Sequence, residues 1–129
     1  MIKEKSCGCI IENNNQVLII KQSNGDWGFP KGHVEEDESE IETALREVKE
    51  ETNLDVSIVS DKRHKMEYYI DRGIFKEVIL FLAHPITSNL KKQDGEIDDV
   101  RWLNIDDALN LLTFDNSKNA LKDLLNIER

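Results

Sequence analysis

Cysteine is scarce in this sequence: Cys7 and Cys9 are the only two among 129 residues. Two cysteines build no disulfide framework. With no second pair and no nearby histidine, the C-x-C spacing is also weak as a metal site. The two alternate along a strand-like segment, which puts both on one face and marks them as ordinary strand thiols of a reducing compartment. Long apolar runs are missing too, and none approaches the roughly 18 residues of a membrane-spanning helix. Behind Met1-Ile2-Lys3-Glu4-Lys5 there is no apolar h-region, so no secretory signal is expected and the cytoplasm is the expected location. Positive charge is in deficit: 17 Lys and Arg against 26 Asp and Glu leave a net charge of −9. Such a surface would repel a phosphate backbone, which argues against DNA, or any nucleic acid held by charge alone, as a partner.

What is present fits one globular domain over residues 1–129. A hydrophobic fraction of 39% beside 33% charged residues is ordinary for such a domain, and no linker, repeat or low-complexity tract interrupts it. Ser6–Ile11 and Val17–Lys21 read as strands joined by an Asn13-Asn14-Asn15 turn. Trp27 to His33 holds two glycines and a proline, so an irregular loop is expected. Further strands are expected at Asp55–Ser60, Arg63–Ile70, Lys76–His84 and Asp99–Leu103, with Asp71-Arg72-Gly73 closing a hairpin. Two later helices are expected at Ile105–Leu112 and Ser117–Ile127. Strands before, between and after helices, without regular βαβ alternation, point to an α+β sandwich with a mixed sheet.

The clearest helix runs from Ser39 to about Thr52. Ile41, Ala44, Leu45 and Val48 form its apolar stripe. Ser39 and Glu42 offer a capping box, Asp37 and Glu40 a competing one. Asn53 tolerates the left-handed conformation of a helix end. Nine acids lie between Glu35 and Glu51, opposed only by Arg46 and Lys49. Glu47, Glu50 and Glu51 share one flank beside the apolar stripe. Like charges one turn apart, near a helix C-terminus, destabilise a bare helix. A divalent cation would reverse both penalties, and all-oxygen ligands suit Mg²⁺ or Mn²⁺. The alternative is a simply solvated helix face.

Gly32, Glu38 and Arg46-Glu47-Val48-Lys49-Glu50-Glu51-Thr52-Asn53-Leu54 stand in the spacing G-x5-E-x7-R-E-U-x-E-E-x-G-U, where U is bulky and apolar. This resembles the Nudix box, with Asn53 in place of the last glycine. The resemblance implies the Nudix fold, an α/β/α sandwich with a mixed sheet. It also implies hydrolysis of a nucleoside diphosphate linked to another group, with Mg²⁺ or Mn²⁺, two or three ions when substrate is bound. By the same resemblance Glu47, Glu50, Glu51 and the Lys31 carbonyl would bind metal. Arg46 would orient a box glutamate, and Glu38 would hold the loop against the helix. Glu96 matches a further glutamate that serves as metal ligand or general base.

Outside the box, Trp27-Gly28-Phe29-Pro30-Lys31-Gly32-His33-Val34-Glu35 is similar to the loop of the asymmetrical diadenosine tetraphosphate hydrolases. That similarity extends to Thr43–Glu47, Phe81-Leu82-Ala83, Arg101-Trp102-Leu103 and Phe114 with Ala120-Leu121, and so covers almost the whole chain. It implies that Lys31 and His33 contact the polyphosphate, and that Tyr69 and Phe114 sandwich an adenine; Lys76 is a further candidate to reach the phosphates. The expected substrate is a small nucleotide, diadenosine tetraphosphate, cleaved to ATP and AMP. Two rivals stay open: a Nudix pyrophosphatase for damaged nucleoside triphosphates or 5′-polyphosphate RNA ends, and a nucleotide-sensing domain without catalysis.

Overall fold

The computed structural model describes residues 2–128, apart from the side chains of Ser60 and Asp61. Met1 and Arg129, the two ends of the expected domain, lie outside the described residues. The chain order is β1 (Ile2–Asn13), β2 (Gln16–Gln22), β3 (Trp27–Gly28), β4 (Lys31–His33), α1 (Glu40–Thr52), β5 (Val56–Asp71), β6 (Ile74–Pro85), β7 (Ile97–Asn104), α2 (Ile105–Leu111) and α3 (Asp115–Leu124).

The sheet is mixed. β1 runs parallel to β6, from Ile2 beside Ile74 to Ile11 beside Ala83, and β6 pairs antiparallel with β5. The end of β1 turns into β2 through Asn14 and Asn15, both at positive φ (52° and 64°). Two successive left-handed residues are what a tight hairpin turn requires, and asparagine tolerates them. β2 then carries β3 on one side and β7 on the other.

Successive residues of a strand face opposite ways. Cys7, Cys9 and Ile11 therefore join Leu18, Ile79, Phe81 and Ala83 under α1, where Ala44 and Val48 cover them. Ile10 joins Val17, Ile19, Val78 and Leu80 on the other face, under Ala108 of α2 and Ala120, Leu121 and Leu124 of α3. With both faces covered, the central strands carry continuous apolar runs rather than alternation. This is the expected α+β sandwich with a mixed sheet. Both cysteines are free and buried, and burial pushes the Cys7 thiol up to about 11 and the Cys9 thiol to about 12, which leaves them unreactive. No helix among the described residues is long and apolar enough to cross a membrane.

Three expectations change. The strands expected at 55–60 and 63–70 are one strand, β5, whose register with β6 shifts between Ile58 and Arg63. The Asp61-Lys62 pair left between the two expected strands lies inside β5, at this register shift. The loop expected over Trp27–His33 contains two short strands, β3 against β2 and β4 against β1. Gly8 makes the second possible, because a Cβ there would run into the Pro30 carbonyl and Lys31. Finally, Ile41 is 43% exposed. The helix meets the sheet one turn later, so the buried face is Thr43, Ala44, Val48, Glu51 and Thr52.

Candidate active site

α1 begins as the sequence pattern implies. Ser39 accepts from the Glu42 amide, and Glu42 answers to the Ser39 amide at 2.9 Å. The helix ends at Asn53, in the left-handed conformation with φ 65°. Its last carbonyls are taken up by the following loop. The Lys91 amide donates to Thr52, the Gln93 amide to Glu51, and the Asn53 side chain to the Asn89 carbonyl. That loop carries Glu96 back toward α1, close enough for its charge to act on both Glu47 and Glu51.

One arginine organises the acidic flank. Arg46 donates to Glu38 through Nε and Nη2 (2.7 and 3.0 Å), and to the His33 carbonyl through Nη2 (3.0 Å). Its Nη1 reaches Glu47 at 2.9 Å and Glu50 at 3.2 Å. Glu38 also accepts from the Glu35 amide and the Thr43 hydroxyl. These donors, Arg46 first, hold its carboxyl down to about 2. Glu38 thus ties the loop to the helix.

Glu47 lies against Gly32, where a Cβ would collide with its carboxylate. A glycine is required there by close approach. Glu51 is only 6% exposed and sits on the core-facing side of α1, where the Lys31 amide donates to it at 2.8 Å. Burial raises its carboxyl to about 8, against the Lys31 amide and with repulsion from Glu47 and Glu96 added. Burial raises Glu47 as well, against the Arg46 hydrogen bond. Two carboxyls held above their usual range, with a third acid close by, are chemically suited to a hard divalent cation. In this arrangement Arg46 Nη1 is shared by Glu47 and Glu50, while Glu51 is held by the Lys31 amide. Among the described residues, no group of three or more His, Cys, Asp or Glu side chains is arranged to hold a metal ion.

Two further groups form nearby. Lys76, 8% exposed, donates from Nζ to the Ser6 hydroxyl at 2.8 Å and lies 3.2 Å from His33 Nε2. Glu4 stands 3.4 Å from the same histidine nitrogen. Burial lowers the Lys76 ammonium pKa, as it does that of Lys31. On the α3 side of the sheet, a cleft of about 470 Å³ has Tyr69 and Phe114 in its lining, together with Trp27, Phe29 and Lys31. Tyr69 is 64% exposed and Phe114 54%, so neither is a core residue. Phe75 meets Tyr69 edge-on at 5.2 Å.

The structure therefore brings Glu47, Glu50, Glu51, Arg46 and Glu96 to one place, Lys31, Tyr69 and Phe114 to one cleft beside it, and His33 to Lys76. Sequence reasoning missed Trp27 as a cleft wall, and Glu4 and Ser6 as partners of His33 and Lys76. An aromatic immediately before Gly28-Phe29-Pro30 was the available signal for Trp27. The other two are strand residues with no local mark.

Comparison with known proteins shows the family and the fold. A model of the NUDIX domain matches residues 3–124. The Rattus norvegicus protein named bis(5′-nucleosyl)-tetraphosphatase [asymmetrical] is 33% identical, over 92% of this chain and 91% of its own length. A solved binary complex of a C. elegans Ap4A hydrolase superposes with a TM-score of 0.84 at 25% identity, covering 95% of this chain and 96% of that one. The E. coli dihydroneopterin triphosphate pyrophosphohydrolase shares the fold, with a TM-score of 0.74 at 20% identity and coverage of 98% and 99%. With the domain match spanning nearly the whole chain and the acidic helix built as described, this protein belongs to the Nudix family of hydrolases.

Proposed function

We propose that this protein hydrolyses a dinucleoside polyphosphate, diadenosine tetraphosphate, to ATP and AMP in a reaction that needs Mg²⁺ or Mn²⁺. The observation that carries this reading is the run of the cleft. Two exposed aromatic rings stand at its walls, Lys31 lies in its lining, and the chain passes directly from Lys31 through Gly32 to the Glu47 carboxylate. A base between Tyr69 and Phe114 would gain about 1–3 kcal/mol from stacking. Its phosphates would then extend past Lys31 toward the acidic helix, with His33 and Lys76 alongside. The 33% identity to a protein with that activity in its name, along almost its full length, supports the same substrate.

Glu47, Glu50, Glu51, Glu96 and the Lys31 carbonyl would hold the metal, two or three ions in the substrate complex. When bound, the metal supplies charge neutralisation at phosphate and a more acidic water. Arg46 keeps Glu47 and Glu50 oriented from behind. A carboxylate, Glu96 or a box glutamate, accepts the proton of the attacking water. The water oxygen bonds to the phosphorus fourth from the bound adenosine, the bridge to the third phosphate breaks, and ATP leaves.

The test is hydrolysis of diadenosine tetraphosphate with Mg²⁺ in ¹⁸O-labelled water. ATP with label in AMP is the expected result. Label in ATP would move the attack to the third phosphate. Two molecules of ADP would refute the asymmetrical placement. No cleavage, with Mg²⁺ binding demonstrated, would turn the assignment to another nucleotide substrate.

A further inference from the structure

The aromatic wall at Phe114 has no obvious support of its own. Phe114 is the residue preceding α3, makes no side-chain cap, and is more than half exposed. The link from the end of α2 to the start of α3 is only residues 112–114. Downstream, the Phe114 carbonyl accepts from the Ser117 and Lys118 amides in the first turn of α3. Upstream, Thr113 makes a reciprocal pair with Trp27, 86 residues away. The Trp27 amide donates to Thr113 Oγ1 at 2.8 Å, and the Thr113 amide donates to the Trp27 carbonyl at 3.2 Å.

Trp27 is a firm anchor for such a pair. It pairs with Lys21 in the sheet, and the Arg101 guanidinium lies 5.0 Å from its ring centroid. Arg101 is in turn fixed by Asp99, which accepts from its Nε and ion-pairs with its Nη2, both at 2.9 Å. From Trp27 the chain runs through Gly28, Phe29 and Pro30 to Lys31, whose amide donates to Glu51. A short, hydrogen-bonded path thus joins the Phe114 wall to the acidic helix.

We propose that Thr113 is a positioning residue: its side-chain hydrogen bond to Trp27 fixes Phe114 in the cleft it shares with Tyr69 and sets where the base sits relative to the acidic helix. This rests on the reading that the two rings hold a base. The physical case turns on exposure. Thr113 lies at the surface, where water can replace a lost partner of the Trp27 amide, so the bond contributes little to global stability. Its contribution is the orientation of the ring that follows, and a binding site depends on such support for its geometry.

The experiment compares Thr113→Val, Thr113→Ser and Phe114→Ala with the unaltered protein. AMP affinity is measured by calorimetry without metal, KM and kcat with diadenosine tetraphosphate and Mg²⁺, and Tm by thermal melting. Valine keeps the shape and the backbone bond but loses the hydroxyl acceptor. The expected result is an AMP Kd and a KM raised about fivefold in Thr113→Val, the cost of ordering a ring that is no longer held in place. KM should rise more than kcat falls, Tm should hold, and Thr113→Ser should return both constants toward the original. If Phe114→Ala weakens AMP binding and Thr113→Val does not, the positioning role is overturned while the base-sandwich reading stands. If Thr113→Val instead loses Tm and kcat together, the threonine is merely structural and the proposal falls. If Phe114→Ala binds AMP as well as the unaltered protein, the sandwich reading itself fails and takes the proposal with it.

Discussion

Glu51 holds its proton to about pH 8 in the folded chain, chiefly because its burial disfavours charge, whereas the ordinary value for such a carboxyl is 4.5. Between those values the folded state keeps a proton that the unfolded state has released. The Glu51 contribution to the stability of the metal-free protein is therefore fully present below about pH 4.5 and is lost as pH rises toward 8, by a few kcal/mol at the limit. Metal binding must displace that proton. Mg²⁺ is accordingly expected to raise Tm more at pH 8.5 than at pH 6. Equal shifts at the two pH values would remove Glu51 from the ligands. Glu51→Gln should flatten the metal-free pH dependence of Tm and lower kcat by several orders of magnitude with the fold intact. Near-normal turnover in that variant would defeat the assignment. Gly32→Ala addresses the neighbouring contact. Its methyl must push the Glu47 carboxylate aside, so Mg²⁺ affinity by calorimetry should fall roughly tenfold or more, while the far-UV spectrum stays unchanged.

At the scale of elements, α1 is held at both ends by devices that can be removed singly. Ser39→Ala breaks the capping box and should cost about 1 kcal/mol in a urea titration. Asn53 occupies the left-handed position, so Asn53→Ala should cost about 1–2 kcal/mol there. Asn53→Gly should cost much less, because glycine takes that conformation freely. An equal cost for the two would mean that the side-chain bond to Asn89, lost in both, matters more than the backbone conformation. The same helix shows where sequence reading stops. Its start, its end and its three clustered glutamates were legible because all depend on spacing along one element. Which glutamate is buried was not. The wheel puts all three on a flank, and only the angle at which α1 lies on the sheet turns Glu51 inward and leaves Ile41 outside. Likewise the register shift inside β5 looked like a chain break, because charged residues at such a shift and at a loop read alike.

The whole molecule carries a net charge of −9 and is proposed to bind a polyanion. Among the described cations, Lys31 and Lys76 lie toward the acidic helix, half-buried and buried, while Arg101 and Lys21 sit at the Trp27 ring, so neutralisation at the acidic helix falls to metal. Chelation by EDTA at neutral pH is therefore expected to abolish turnover while leaving the far-UV spectrum in place, since both faces of the sheet close over apolar side chains. Unfolding on chelation would show that the metal is structural instead.

Composition and helical period by themselves determined the fold class and the acidic helix with its caps, and the resemblance carried by the run from Gly32 to Leu54 implied the reaction family. These are properties of neighbours in the chain, where spacing maps directly onto geometry. The tertiary structure alone decided that Trp27 and Thr113 clasp each other and that His33 meets Lys76, and it places Tyr69 and Phe114, paired beforehand only by resemblance, in one cleft. Those partners are separated by 43 to 86 residues. They meet only because the parallel β1–β6 pairing and the return of α3 over the sheet bring distant segments together, and no local pattern encodes where two such segments will cross.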